Sequence, residues 1–257
     1  MATLFERFER DLLYLAQNQV PLEAGGEPLD KLKYESKKGQ QLTDPHVERL
    51  CKALARNSVF CGPLDLEDND LTDLSALYLA EVLRKPQANI TKLNLSDCKA
   101  FSSKAGEYIG QALLDTPSAR LEKLEFKGVH LDSRGLLRVI DAANKTESLE
   151  KLDVGVLTDE GLKLLAERLY GNQHLSELCF SETADHQKYW SSEACKMFIE
   201  LLKTSTKLKS VKCRFQECNR ASEQAREFRE ELDFYTAQKQ SQKKKAKAFK
   251  ERMHSCD

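Results

Sequence analysis

The chain has 257 residues, with 40 Lys and Arg against 41 Asp and Glu, and a net charge of -1. This balance of charge argues against a globally basic nucleic-acid binder and against an acidic tail protein. The sequence contains no run of about 20 apolar residues, the length that a membrane helix needs. Apolar residues make up 40% and charged residues 32%, against roughly 45–50% and about 25% in ordinary soluble domains, which favours a fold whose units all keep solvent-facing surface.

Residues 1–28 predict an N-terminal capping helix and a loop. Apolar residues recur on one face of residues 2–16, at Leu4, Phe5, Phe8, Leu12 and Leu15, as in an amphipathic helix that covers the end of a repeat array. Glu6, Glu9 and Asp11 lie among them, whereas a secretory signal has an uncharged apolar stretch and a mitochondrial presequence avoids acids. We therefore expect an intracellular location, in the cytoplasm, at the cytoskeleton or in a cilium.

The pattern LxxLxL recurs seven times between residues 29 and 213. Its first positions are residues 29, 61, 90, 121, 149, 175 and 208, and a nearly constant spacing of this kind is the signature of a repeat architecture. Apolar residues at helical spacing lie between the motifs, and a Ser, Thr or Asp precedes each of these stretches, at residues 43, 72, 102, 132, 158 and 191. Such residues are typical helix N-caps. Each unit therefore predicts one strand, a tight turn and one helix.

The stretch from Leu149 to Leu169 resembles the consensus of the ribonuclease-inhibitor type of leucine-rich repeat. The resemblance covers residues 29–215 and implies an α/β solenoid, a right-handed horseshoe with about seven parallel strands on its concave face and helices on its convex face. Stacked units of this kind share one continuous core. Two departures stand out: the unit at 149–174 is two residues short after its strand, and the asparagine usual after the strand occurs once, as Asn69, with Cys98 in the comparable place of the next unit.

Three polar columns are predicted on the concave face, because alternate residues of a strand point to the same side. They are Lys31, Pro63, Lys92, Lys123, Lys151, Glu177 and Ser210; Lys33, Asp65, Asn94, Glu125, Asp153, Cys179 and Lys212; and Glu35, Glu67, Ser96, Lys127, Gly155, Ser181 and Arg214. Lysines of the first column stand beside acids of the second, so the face neutralises itself, which argues against nucleic acid. Lys92, Lys123, Lys151, Glu125 and Asp153 are the candidate partner-binding residues; the alternative is a solvated sheet.

Tyr189 and Trp190 end a long polar connection after the sixth motif. Trp190 is the single tryptophan of the chain, and aromatic side chains dominate binding hot spots. We therefore consider both as partner-binding residues. The alternative is that they fold back and cover a widened core in the last units.

Residues 216–238 predict a C-terminal capping helix, and residues 239–257 a lysine-rich tail. Ala225, Phe228, Leu232 and Tyr235 follow helical spacing, whereas residues 239–250 hold six lysines and no acid. Four of these, Lys243, Lys244, Lys245 and Lys247, are candidates for docking on an acidic surface such as actin, tubulin tails or RNA, or for a nuclear-import signal. The alternative is a solvated helix or a disordered tail.

The order of strand, polar insert, helix, strand and terminal helix over residues 149–235 is similar to the C-terminal end of tropomodulin and leiomodin leucine-rich-repeat domains. In that family the last units and the final helix contribute to actin binding. The resemblance implies that role for residues 177–190, Phe215 and residues 220–228 of this chain.

Catalytic patterns are absent from the sequence. There is no GxxxxGK, GxSxG or HExxH motif, no CxxC pair, and the five histidines are isolated. We expect no enzyme, cofactor, metal or small-molecule substrate. The sequence favours a non-enzymatic protein-interaction scaffold in a cytoskeletal or other large intracellular complex; the alternatives are a tropomodulin-like actin-binding protein and a regulator of an enzyme such as a small GTPase.

Overall fold

The computed structural model describes residues 3–23, 25–36, 39–85, 87–182, 190–214 and 223–254. For residues 223–225 and 242–254 this description covers the backbone but not the side chains. Strands and helices alternate along these residues. The strands are β1 (Leu32–Lys33), β2 (Cys61–Asp65), β3 (Asn89–Asn94), β4 (Lys123–Glu125), β5 (Lys151–Leu157), β6 (Glu177–Glu182) and β7 (Ser210–Arg214). The helices are α1 (Leu4–Ala16), α2 (Asp44–Leu54), α3 (Asp73–Leu83), α4 (Ser103–Asp115), α5 (Ser133–Lys145), α6 (Asp159–Arg168), α7 (Ser192–Thr204) and α8 (Glu223–His254).

The seven strands form one parallel sheet in sequence order. The fourth position of each LxxLxL motif pairs in register with that of the next unit, through Leu32, Leu64, Leu93, Leu124, Leu152, Leu178 and Val211. These side chains point toward the helices and share one core with them. The predicted α/β horseshoe of seven parallel strands is confirmed, while its ribonuclease-inhibitor subtype stays a prediction.

Hydrogen bonds at the helix starts tie α2 to α3, α3 to α4, α4 to α5 and α6 to α7. All six predicted N-caps occupy that position, at Thr43, Thr72, Ser102, Asp132, Thr158 and Ser191. Asp44, the first residue of α2, accepts hydrogen bonds from Thr72 N at 3.0 Å, Thr72 Oγ1 at 2.7 Å and Ser75 Oγ at 2.5 Å. Asp159 likewise accepts from the N–H of Ser191 at 2.5 Å. A carboxylate that caps its neighbour's helix satisfies donors that the helix itself leaves open.

Asn69 and Cys98 fill equivalent buried places behind β2 and β3. Asn69 Nδ2 donates to the carbonyls of Tyr34 and Leu66 at 2.8 and 2.9 Å, and its Oδ1 accepts from Leu42 N at 2.7 Å. Cys98 is fully buried, and its Sγ lies 3.5 Å from the Leu66 carbonyl oxygen. The turns after β2 and β3 are thus each fixed by a buried side chain that bonds the unit before it.

The short fifth unit changes the sheet at Gly155. Asp153 pairs with Cys179, but the next pair in register is Val156 with Ser181, so Gly155 is left out of the ladder. The prediction that Gly155 lies in the third concave column is therefore wrong: with two residues fewer, the chain continues as strand where other units turn. Gly155 has φ +76°, and a Cβ there would lie 2.2 Å from the Val129 carbonyl oxygen. Only glycine fits this close approach.

Helix α1 packs on the first unit. Leu4, Phe8 and Leu15 are buried, and Asp11 is 1% exposed beside them. Asp11 accepts hydrogen bonds from Arg10 Nη2 at 2.8 Å and from the Tyr34 hydroxyl at 3.2 Å. Burial raises the pKa of Asp11 despite these two donors. The contact with Tyr34 joins α1 to the segment that follows β1.

Helix α8 continues from Glu223 to His254, so no helix end falls at the predicted boundary between residues 238 and 239. Phe228 and Leu232 are buried. Lys203 Nζ lies 5.7 Å from the ring centre of Tyr235, and Lys239 Nζ donates to the Ser205 carbonyl. Residues 216–222 of the predicted cap, Phe215 at the end of the predicted solenoid and residues 255–257 of the predicted tail lie outside the described residues. Among the described helices, none has both the length and the apolar character of a membrane span.

Candidate interaction surface

The concave face is the sheet face that does not pack on the helices. Its first column aligns in register as Pro63, Lys92, Lys123, Lys151, Glu177 and Ser210, and its second as Lys33, Asp65, Asn94, Glu125, Asp153, Cys179 and Lys212. The structure therefore brings the five predicted concave candidates onto three adjacent strands, β3, β4 and β5. Their surroundings differ from residue to residue.

Glu125 holds two of the candidate lysines. Its Oε2 lies 2.7 Å from Lys92 Nζ and its Oε1 lies 2.8 Å from Lys123 Nζ. Burial raises the pKa of Glu125, but the hydrogen bonds and charges of Lys123 and Lys92 outweigh it, so the net pKa lies below the usual value. The three side chains form a neutralised cluster in which one carboxylate oxygen engages each lysine.

Asp153 forms a bidentate ion pair with Arg214. The guanidinium Nη2 lies 2.7 and 2.9 Å from the two carboxylate oxygens, and Arg214 Nε donates to Ser181 Oγ at 2.9 Å. Asp153 is only 5% exposed, and its Oδ1 also accepts from Gly155 N at 3.0 Å. The expectation that Asp153 is an accessible binding residue is therefore corrected: it anchors a bridge from β5 across β6 to β7.

Lys151 has a different environment from Lys92 and Lys123, the other lysines among the five candidates. It is exposed, and none of the described residues forms an ion pair with it. Its register neighbour Glu177 binds Lys212 instead, with Nζ and Oε1 2.6 Å apart. Lys212, followed by the charges of Lys151 and Lys123, lowers the pKa of Glu177. Lys151 is thus the concave candidate whose ammonium donors stay open to a partner.

Lys127 and Glu67 of the third column also pair with each other, and Lys127 pairs with Asp97 in the turn after β3. Lys127 Nζ lies 2.9 Å from Asp97 and 3.3 Å from Glu67. Glu67 also accepts from Asn94 Nδ2 at 3.1 Å. The prediction from sequence identified the alternation of charge but not these partners, because lysine and arginine side chains reach across one or two strands.

Trp190 lies in the core of the last units. It is 3% exposed, its indole Nε1 donates to the Leu157 carbonyl at 3.2 Å, and its ring lies 5.6 Å from Phe180 and 5.8 Å from Phe228. The hypothesis that Trp190 is a binding hot spot is therefore corrected in favour of the alternative that it covers the core. Tyr189 lies outside the described residues.

The candidate lysines of the tail belong to the last part of α8. Lys243, Lys244, Lys245 and Lys247 are helical in backbone, and their side chains lie outside the described residues.

The sequence did not predict the groove of about 560 Å³ that lies between α7 and the first half of α8. Lys196, Glu227, Glu230, Glu231 and Phe234 border it.

The thiols of this face and of the core are poor nucleophiles. Burial raises the pKa of Cys98 to about 12 and that of Cys179 to about 11, and the thiolate is the reactive form. Among the described residues, no group of three or more His, Cys, Asp and Glu side chains is arranged to hold a metal ion.

Comparison with known proteins leaves the function open. No protein-family model matches the chain, and no curated protein sequence matches it. Solved structures that match include leiomodin-1 actin-binding site 2, with 14% sequence identity and a TM-score of 0.36 over 99% of each chain. A likeness at this level carries no argument about function, so the fold assignment depends on the register of the sheet itself.

Proposed function

We propose that the chain is a non-enzymatic protein-interaction module that binds a protein partner across the concave face, as a subunit of an intracellular complex. The observation that carries this proposal is the exposed, unpaired ammonium of Lys151 beside concave carboxylates that basic side chains already hold. Glu125, Asp153 and Glu177 are each held by a basic side chain. A partner therefore meets little net charge, and hydrogen bonds of defined geometry decide whether it fits.

Charge pairing on the concave face favours a protein over a phosphate chain. Nucleic-acid binding gains its affinity from lysines and arginines that neutralise phosphates, and here those groups already neutralise carboxylates. The Lys212–Glu177 pair is more exposed than the Arg214–Asp153 pair, and an exposed pair contributes only about 0–1 kcal/mol to stability, so a complementary partner can replace it at low cost. An acidic side chain of the partner, placed near Lys151, fixes the orientation of the partner on the concave face.

Affinity capture with mass spectrometry tests this proposal. The wild-type chain is compared with Lys151→Glu on the concave face and with Lys104→Glu, an exposed lysine in the first turn of α4, as the matched control. We expect a protein set retained by wild type and control and lost with Lys151→Glu. Equal retention by all three chains contradicts the proposal. A small GTPase or another enzyme in the retained set supports the regulatory alternative.

Actin is the first defined partner to test, because residues 149–235 resemble the actin-binding end of the tropomodulin and leiomodin family in sequence. Co-sedimentation with F-actin compares the full chain with a chain that ends at Ser241. This truncation keeps Phe228, Leu232 and the Lys239 contact with Ser205, so it removes lysines without removing the cap. Sedimentation of the full chain supports actin binding, whereas its absence excludes that candidate and leaves the concave-face proposal intact.

A further inference from the structure

The groove between α7 and α8 has an apolar floor and charged walls. Cys195 of α7 and Phe228 of α8 line it and are both buried. Lys196 on the α7 side, and Glu227 and Glu231 on the α8 side, border the same groove and are exposed. A buried apolar floor between exposed polar walls is the usual form of a site that takes up part of another molecule.

The charges of the groove are largely unpaired. None of the described residues forms an ion pair with Lys196, Glu227 or Glu231. Glu230, the third acid of the α8 wall, lies 3.8 Å from Arg226 on its own helix, and both side chains of this pair are mostly exposed. An exposed pair of this kind holds its partners only weakly. The groove therefore offers three carboxylates and one ammonium group, with an excess of negative charge.

Phe234 adds an exposed aromatic ring to the acidic wall. Its side chain is 60% exposed, and its ring centre lies 5.2 Å from that of Tyr235 in an edge-to-face arrangement. Phe234 follows Glu227, Glu230 and Glu231 by seven, four and three residues, so these four side chains share one face of α8. This face differs from the buried stripe that holds α8 on the last unit, so capping does not require it.

We propose that the groove between α7 and α8 binds a basic amphipathic helix of another protein. Two Lys or Arg residues four positions apart on that helix match Glu227 and Glu231, since both pairs are spaced by about 5–6 Å. The alkyl stems of such residues cover the ring of Phe234 while their charged ends reach the acids. The apolar side of the helix lies on the groove floor at Phe228. This site is outside the concave face and does not depend on the proposed function.

Fluorescence anisotropy with a labelled synthetic peptide tests the site in the full-length chain. The peptide has about 18 residues, enough to form a helix, with Lys at positions i and i+4 beside a Leu stripe. We expect it to bind the wild type at low ionic strength and less tightly in added salt. Glu227→Lys with Glu231→Lys should raise its dissociation constant at least tenfold, and Phe234→Ala about fivefold. Glu160→Lys with Glu167→Lys, two exposed acids on α6, is the matched control and should bind within about twofold of wild type.

Charge reversal in the peptide makes the test decisive. A peptide with Glu in place of each Lys should bind the chain carrying Glu227→Lys and Glu231→Lys more tightly than it binds the wild type, which also shows that the substituted chain is folded. A wild type that does not bind the Lys peptide overturns the proposal. Equal losses in the α6 control, or unchanged binding by Phe234→Ala, also overturn it, because a diffuse acidic surface then holds the peptide. A dimer of the chain alone that Phe234→Ala dissociates assigns the groove to a second copy and overturns it as well.

Discussion

Phe228→Ala tests the structure of the C-terminal end. Phe228 is 3% exposed, and its ring centre lies 5.8 Å from Trp190 and 6.2 Å from Phe198 in edge-to-face arrangements. Trp190 is the single tryptophan of the chain, so its fluorescence reports on the contact that the substitution removes. The substitution leaves the indole in place and takes away the ring that α8 contributes to its surroundings.

The free energy of unfolding should fall by about 3–5 kcal/mol, the usual cost of replacing a buried phenylalanine by alanine. The two ring pairs account for about 0.5–1.5 kcal/mol each within that total. Helix α8 packs on the last unit of a repeat array, in which each unit contacts only its neighbours. We therefore expect α8 to detach at a lower urea concentration than the rest of the solenoid unfolds. Tryptophan emission should then shift to longer wavelength at a lower urea concentration than the main loss of far-ultraviolet circular dichroism.

Urea titration followed by both signals measures this effect. Phe234→Ala is the matched control, since Phe234 lies on the same helix and is 60% exposed; its free energy of unfolding should stay within about 0.5 kcal/mol of wild type. Equal midpoints for Phe228→Ala and Phe234→Ala, with the same emission maximum, would refute the core assignment of Trp190.

Three further predictions concern the solenoid. Gly155→Ala should destabilise the chain by more than about 1 kcal/mol and by more than Gly171→Ala, which has a similar φ but whose Cβ meets nothing within 4 Å; equal urea midpoints would contradict the steric argument. Asp44→Ala leaves the buried Ser75 hydroxyl without its acceptor and should cost about 1–3 kcal/mol in chemical unfolding; no loss would show that this link between units contributes nothing. Glu177 has a lowered pKa, so its stabilising contribution is complete above the unfolded-state pKa of about 4.3 and is lost as pH falls. Glu177→Gln should therefore flatten the fall in stability with acid, and an unchanged slope would exclude this contribution.

Strand and helix positions were predictable because the repeat imposes the same apolar positions on every unit. Leu93 and Leu124 pair in register although 31 residues separate them in the sequence, since stacking leaves one arrangement that buries both. The N-caps were predictable for a related reason: Thr72 and Ser191 stand directly before helical apolar patterns.

The partners of the concave charges were not predictable from the same pattern. Arg214 bonds Asp153 two strands away, and that choice depends on the reach of a long side chain and on the irregularity at Gly155. The burial of Trp190 could not be predicted either, because one of the rings that pack against it is Phe228, which lies on a later helix. The charge run after Lys239 holds few apolar residues, so hydropathy alone does not decide whether the helix continues.

Site-specific photo-crosslinking tests the central claim, that the concave face contacts a protein partner. A benzoylphenylalanine residue replaces Ser210, which lies in the first concave column with Lys151, in one chain and Lys104, on the helix side, in another, and both chains are irradiated in cells. We expect a discrete protein adduct from position 210 and none from position 104. Adducts from position 104 alone, or none from either position in a folded chain, would contradict the proposed concave interaction surface.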